Sequence, residues 1–366
     1  MKIFYAVQAT GNGHISRALE IIPFLEKYGE VHVFLSGNNY GLNIGLPIVY
    51  RSKGLSFQYD STKGSIDLKK TFKSINFSKI WTESKYLPVE KYDLVINDFE
   101  FITSLACRIK GIASVHFGHQ ASFRSKFIPR PQKYNHVSEW FIRNFVKAEH
   151  TIGLHFKHYD PTIFQPIIRQ SILTAKPSTH DHVTVYLGHY GISTIFNNVK
   201  QLKDIRFEVF SKEVMHVHTV EHVTFYPVHT ERFTQSLLTC RCLITGAGFE
   251  TPAEALYLKK NMMLLPVQGQ YEQLCNAEAL KEFNVPILDG FTENFYAQLL
   301  QLIETSPNNL WELKDTTSSI VQHVVEKGIG TIRMSDRPKA SDQTVNKITS
   351  EVFSTNDEQM SHTNVG

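Results

Sequence analysis

The chain has 366 residues, 42% of them hydrophobic and 20% charged, a globular composition rather than a disordered one. At roughly 150 residues per domain this predicts about two domains, each large enough to bury a core. The formal charge of +3 is too weak to argue for nucleic acid, the 4 cysteines are too few for a disulfide scaffold and read as reduced thiols, and no apolar run approaches a membrane span.

Residues 1–14 turn polar and glycine-rich after a few apolar positions, unlike a signal peptide, so the cytosol is the expected compartment. Residues 2–7 read as a strand. They run into Gly11, Asn12, Gly13 and His14, and apolar spacing predicts an amphipathic helix over 15–27, with a kink at Pro23. A second strand follows at 31–35. Strand, glycine turn, helix, strand is a βαβ unit. The grammar recurs in a strand over 92–98 ending at Asp98, a helix over 103–110 and a strand over 112–117. It implies a mostly parallel sheet with helices on both faces. Residues 1–160 are expected to form the first domain.

Prolines and aromatics after residue 151, and the polar stretch 174–182, mark residues 161–182 as the interdomain connection. A second βα domain is expected over 183–333. It has strands at 183–187, 207–210, 223–226 and 242–245, a glycine turn at Gly188 and Gly191, and a helix over 231–238. Two such sheets in tandem predict a cleft with ligands at the carboxyl ends of the strands. Residues 334–366 are polar and poor in apolar anchors, so a disordered tail is expected. Histidines cluster at His180 and His182 and again at His216, His218 and His222. Without acidic or cysteine partners at ligand spacing they read as solvated positions.

The Gly11–Gly13 turn is neither a dinucleotide fingerprint, because Ser16 stands where the third glycine would be, nor a Walker loop. It leaves helix N-terminal N–H groups free for an anion or a hydroxyl-rich ligand. His14, at the start of that helix, is the first candidate for a general base, with Asp98 and Glu100 as alternatives at a strand's carboxyl end. His116 and His119 also follow a strand end. The richest stretch begins at Thr245. A strand ends in Gly246, Ala247 and Gly248, and a helix starts near Thr251 and Pro252, with its positive end suited to phosphate oxygens. Glu254, one turn in, is placed to accept two ribose hydroxyls. Gln268, Glu272 and Gln273 carry the amide and carboxylate chemistry that suits sugar hydroxyls.

The stretch 245–277, with the Gly-x-Gly-His turn after the first strand, resembles the two-domain GT-B glycosyltransferases, and most of all family 28, the group of the peptidoglycan enzyme MurG. The likeness covers roughly residues 1–330, and the stretch around Asn97–Glu100 and Gly118–Gln120 resembles uncharacterised bacterial and archaeal relatives. It implies an α/β fold of two Rossmann-like doubly wound domains facing across a cleft, the first binding the acceptor and the second a UDP-sugar. It further implies ribose contact by Glu254, sugar contact by Glu272 and Gln273, and diphosphate contact by Gly246, Ala247, Gly248 and Thr251. Gly188 and Gly191 match the other phosphate-facing turn, and Val228 falls where the uracil-contacting loop lies. His14 matches a histidine near the acceptor hydroxyl, with Gly11, Gly13, Glu100 and His119 on the acceptor side. Glu272 replaces a glutamine of the peptidoglycan enzyme, and Asn12 replaces a glycine.

The implied reaction is an inverting, metal-independent transfer of a hexosyl group from a UDP-sugar to an acceptor hydroxyl. No cofactor is implied, since the UDP-sugar is a substrate, and no metal site; the absence of an Asp-x-Asp motif accords with that. The acceptor expected from the resemblance is a lipid-linked glycan or glycolipid, with a small metabolite left open. Residues 123–130, where basic and apolar residues interleave, are a candidate peripheral contact with the inner face of the plasma membrane. The alternative is a UDP-sugar epimerase or a non-catalytic nucleotide-sugar binder of the same fold.

Overall fold

The computed structural model describes residues 1–39, 45–55, 59–60, 65–66, 75–133, 135–306 and 312–332. The tail expected over 334–366 lies outside the described residues. In chain order the first half forms β1 (Lys2–Gln8), α1 (Asn12–Leu25), β2 (Glu30–Ser36), β3 (Ile48–Ser52), a short hairpin β4 (Tyr59–Asp60) and β5 (Ser65–Ile66), α2 (Phe77–Tyr86) and β6 (Leu94–Asp98). It continues through α3 (Phe101–Lys110), β7 (Val115–Gly118), α4 (His136–Asn144), β8 (His150–Leu154) and β9 (Ile163–Phe164). A single turn, α5 (Gln170–Leu173), leads to β10 (His182–Tyr186), α6 (Ile192–Val199), β11 (Arg206–Ser211), β12 (His218–Val220), β13 (Val223–Pro227), α7 (Thr230–Thr239) and β14 (Cys242–Thr245). The remainder is α8 (Glu250–Tyr257), β15 (Asn261–Leu264), α9 (Tyr271–Lys281), α10 (Asn294–Glu304) and α11 (Thr317–Ile332).

The first sheet is parallel throughout, in the order β3-β2-β1-β6-β7-β8-β9. The second runs β12-β13-β11-β10-β14-β15, parallel except for the β12–β13 pair. The chain builds outward from β1 on one side and then restarts at β6 on the other. The crevice above β1 and β6 is therefore a topological switch point, and the second sheet has its own between β10 and β14. The turn after β1, Asp98 at the end of β6, and the glycine turns after β10 and β14 all sit at these two points. The expectation of two Rossmann-like domains holds.

Two placements differ from the sequence reading. Ile163 and Phe164, inside the stretch read as interdomain connection, are the edge strand of the first sheet. The prolines at 161 and 166 flank this strand rather than end the domain. The last helix, read with the second domain, returns to pack on β6, β7, β8 and α1. Its Ile320, Val321, Val324 and Val325 are buried at helical spacing in the core of the first sheet. That core is continuous across the molecule, running from α1 through Ile167, Ile168 and Ile172 to Ala253 and Leu256 of α8. The four cysteines are free and buried.

Helix α1 starts at Asn12, three residues earlier than its apolar spacing suggested, and Pro23 lies inside it. Its buried face is Ile15, Ala18, Ile21, Ile22 and Leu25, with one charged member, Arg17.

The two glycines of α11 test the packing of its return. A methyl group at Gly328 meets the buried Leu94 Cδ1 well inside contact distance and Val115 Cγ2 at 3.2 Å, whereas Gly330 has open space. Gly330→Ala is expected to stabilise the protein by about 0.5–1 kcal/mol through helix propensity. Gly328→Ala is expected to destabilise it, because overpacking of about 1–3 kcal/mol outweighs that gain. Urea denaturation of both variants checks the opposite signs.

Candidate active site

Asp98 ends β6 and is wholly buried. The next residue, Phe99, has φ 57°, a left-handed conformation that costs a bulky residue energy and recurs where a side chain is being aimed. Burial alone would raise the Asp98 carboxyl, but the Arg17 guanidinium and His14 outweigh it and hold the group at about 2. Arg17 Nη2 donates to Asp98 Oδ1 and Oδ2 at 2.8 Å each, and Nε donates to Oδ2 at 3.2 Å. His14 Nδ1 lies 2.9 Å from Asp98 Oδ1. An ionised carboxylate at that distance favours the proton on Nδ1, which leaves Nε2 as an acceptor. On the Nε2 side, the Gln120 amide nitrogen lies 3.4 Å away and donates to Glu272 Oε1 at 3.1 Å. The His14 side chain is 12% exposed, so the reactive edge is sheltered but reachable.

The cluster spans both sheets. Arg17 Nη1 forms an ion pair with Glu250, the first residue of α8. Gln120, in the turn after β7, meets Glu272 of α9. His14 and Asp98, the two catalytic candidates, are thus brought together, with Gly11 as the cap residue of α1 and Gly13 against Glu250. Glu272 faces them from the second sheet, and burial raises its carboxyl. Arg17, Gln120 and Glu250 were not anticipated.

Other candidates have different work. Glu100 is a helix cap, fully buried, accepting from the Ile102 and Thr103 backbone N–H groups at 2.9 and 2.6 Å. Its position after the strand arises from capping α3 and not from facing the cleft. His119 is buried, stacked on Phe249 at 3.9 Å and 6°. Its Nδ1 contacts the Leu154 carbonyl at 3.0 Å and its Nε2 the Asn276 Oδ1 at 2.8 Å, so it joins the sheets and leaves no acceptor-side edge. Glu254 is buried with both oxygens taken by Arg169, at 2.5 and 2.7 Å. In this structure those oxygens face Arg169 and not an open site. The Gln273 side-chain carbonyl accepts from the Ala247 and Val267 N–H groups at 3.0 and 2.9 Å, bracing the Gly246–Gly248 turn. Gln268 reaches the Asp289 carbonyl at 3.4 Å.

The remaining glycine turn, Gly188 to Gly191, precedes α6, whose first N–H, at Ile192, donates to Glu213 at 3.1 Å. A carboxylate therefore already caps that end. Thr251 lies in the first turn of α8, and Val228 is half-buried in the loop between β13 and α7. His180, His182 and His222 line a cavity of about 540 Å³ with Glu208, Tyr226 and Arg232. No three potential metal ligands gather among the described residues. Within 123–130, Phe123 and Ile128 are core residues and Arg130 is paired with Glu139, leaving Phe127 outward at 60% exposure. The neighbouring α4 exposes Val137 and Trp140 at 78% and 67%. No described helix is long and apolar enough to cross a membrane.

Two Rossmann-like sheets whose switch points meet at one polar cluster define the GT-B glycosyltransferase fold. The family model for glycosyl transferase family 1 matches residues 1–293, and the chain belongs to that family. Solved structures share the fold. The spinosyn forosaminyltransferase SpnP aligns at TM-score 0.52 and 14% identity over 96% of this chain and 99% of that one. SsfS6, a glycosyltransferase of Streptomyces sp. SF2575, aligns at 0.53 and 11% over 91% and 99%. UGT89C1 of Arabidopsis thaliana, solved with quercetin, aligns at 0.52 and 11% over 97% and 98%. No curated protein matches the sequence.

Three buried histidines beside this cluster set its acid response. Burial pushes His116 and His119 down to about 3 and His155 well below the ordinary value. Such a histidine stays neutral in the fold while the unfolded chain takes up a proton below about pH 6.5. Stability is therefore lost as pH falls from there towards 3, by up to about 1.4 kcal/mol per pH unit per histidine. Urea denaturation between pH 7 and 4.5 is expected to show this slope, and His116→Phe to remove one histidine's share. The carboxyls of Glu100, Glu254 and Glu272, raised by burial, act in the opposite sense, so the comparison with wild type decides: a His116→Phe profile parallel to wild type would contradict the neutral, buried assignment.

Proposed function

We propose that the protein transfers a sugar from a UDP-sugar to an acceptor hydroxyl, with inversion and without metal. His14 is the general base and Asp98 the carboxylate that orients it. The observation that carries this reading is the 2.9 Å contact between His14 Nδ1 and a fully buried, ionised Asp98, with Nε2 turned to the cleft between the sheets. In a single displacement, His14 Nε2 takes the acceptor proton as the acceptor oxygen bonds to the anomeric carbon. The bond from that carbon to the diphosphate oxygen breaks, and UDP departs with the electron pair. The Gly246–Thr251 turn and the N-terminus of α8 would meet the charge on the leaving group.

The likeness of residues 245–277 to family 28 supports UDP as the nucleotide, and the UDP and lipid-linked substrates of that group support a lipid-linked or glycolipid acceptor. Gly188, Gly191 and Val228 would then line the nucleotide side. Glu254 would meet the ribose only once Arg169 yields its oxygens. Exposed Phe127, Val137 and Trp140, with Lys126 and Arg143 nearby, have the aromatic and cationic character that seats a protein at an anionic lipid surface. We infer a peripheral, cytoplasmic-face association through this patch, wider than 123–130 alone.

His14→Ala is expected to lower turnover by about 10²–10⁴-fold with UDP affinity nearly unchanged. Steady-state kinetics, UDP titration calorimetry and the melting temperature of this variant check it. A loss below about tenfold would move the base elsewhere. Activity is expected to survive EDTA; full loss, restored by Mg²⁺, would overturn the metal-free mechanism. Sedimentation with phosphatidylglycerol vesicles is expected to fall for Trp140→Ser, while binding indifferent to this change would remove the patch from the membrane reading.

A further inference from the structure

The His14–Asp98 pair contains an unresolved competition. Arg17 Nη2, which donates to Asp98, also lies 3.0 Å from His14 Nδ1. One ring nitrogen offers either a proton or a lone pair in its plane. If Nδ1 donates to Asp98, Nε2 keeps its lone pair and accepts a proton. If Nδ1 accepts from Arg17, Nε2 carries the hydrogen and cannot act as a base. Arg17 therefore permits the buried Asp98 charge and also competes with it for His14. What restrains the guanidinium is its other terminal nitrogen, Nη1, held by Glu250 across the cleft. The backbone is cut away around this arrangement on two sides. A Cβ on Gly13 would lie 2.5 Å from Glu250 Oε2. One on Gly118, which has φ 140°, would lie 2.7 Å from Asp98 Oδ1 and 3.2 Å from Arg17 Nη2.

We propose that Arg17, anchored across the cleft by Glu250, is a positioning residue that sets the His14 tautomer. With Glu250 in place the guanidinium is held on Asp98, and His14 carries its proton on Nδ1. When Glu250 withdraws, Arg17 turns to donate to Nδ1. The Nδ1 proton leaves to solvent, one is taken up at Nε2, and the base is switched off. This inference rests on His14 being the base, and its test separates the two.

The test uses the full chain with ¹⁵N-labelled histidine rings and long-range ¹H–¹⁵N correlation spectra, His14 being assigned by its loss in His14→Gln. The wild type is expected to show the Nδ1–H tautomer. Glu250→Gln removes a carboxylate at the cleft edge and is expected to populate Nε2–H. It is also expected to lower kcat for UDP release from UDP-glucose about tenfold with KM unchanged, a split that belongs to the chemical step. Glu250→Asp keeps the charge and is expected to recover most of the Nδ1–H population. An unchanged tautomer in Glu250→Gln, or equal disturbance by Gln and Asp, would overturn the proposal. Arg17→Lys combined with Glu250→Gln is the second variant: with the competing guanidinium gone, Nδ1–H is expected to be retained despite the loss of the carboxylate, and a switch to Nε2–H there would likewise overturn it. The spectra need no turnover, so undiminished UDP release by His14→Gln would remove the base assignment without deciding the tautomer.

Discussion

The buried ion pair between Arg17 and Asp98 is the constraint on which the arrangement depends. Both side chains are almost wholly removed from water. Transferring two charges from water is costly, and such a pair adds little net stability over an apolar replacement, yet leaving one partner alone costs about 3–5 kcal/mol. The pair is therefore a commitment rather than a source of stability. It ties α1 to the end of β6 and so fixes where His14 stands. The left-handed Phe99 and the missing side chain at Gly118 are local consequences of fitting a guanidinium and a carboxylate side by side at the crevice above β1 and β6. Through Glu250 the same guanidinium extends the commitment to the second sheet.

Polar residues around the cleft brace the two halves of the molecule. Asn276 bonds to His119 on one side and, at 3.0 Å, to the Ala247 carbonyl on the other. His119 in turn stacks on Phe249, and Gln273 stitches the glycine turn to the loop after β15. Arg169 bonds to both Glu254 and Thr234, locking the interdomain connection to α8 and α7. The two Asn276 bonds are buried and the others part-buried, settings in which an unpaired group is costly. The relative position of the domains is thus specified by directional bonds over a continuous apolar core, and not by apolar burial alone.

What the sequence disclosed follows from which interactions are local. Period-two and period-3.6 patterns and the glycine turns mark strands, helices and their carboxyl ends, so the switch points and their residents, His14 and Asp98, were legible. Glu100 was read as a cleft residue because a carboxylate after a strand is ambiguous between facing a ligand and capping the next helix, and the cap geometry decides it. Glu254 was read as free because its partner lies 85 residues away. Arg17 carries no local mark, since one arginine in an amphipathic helix ordinarily snorkels to solvent. β9 was hidden by its length of 2 residues and its flanking prolines.

The charges of the cluster bear on the proposed anionic donor. Arg17 and Asp98 cancel, leaving Glu250 and Glu272 facing the cleft from the second sheet. Two free carboxylates near the N-terminus of α8 would oppose the positive potential that the helix offers a diphosphate. Two features of the structure weaken that opposition. The Arg17 guanidinium is shared between Asp98 and Glu250, so the Glu250 charge is partly met at its source. Burial raises the Glu272 carboxyl, a shift towards the neutral acid, which can still accept the hydrogen bond from Gln120.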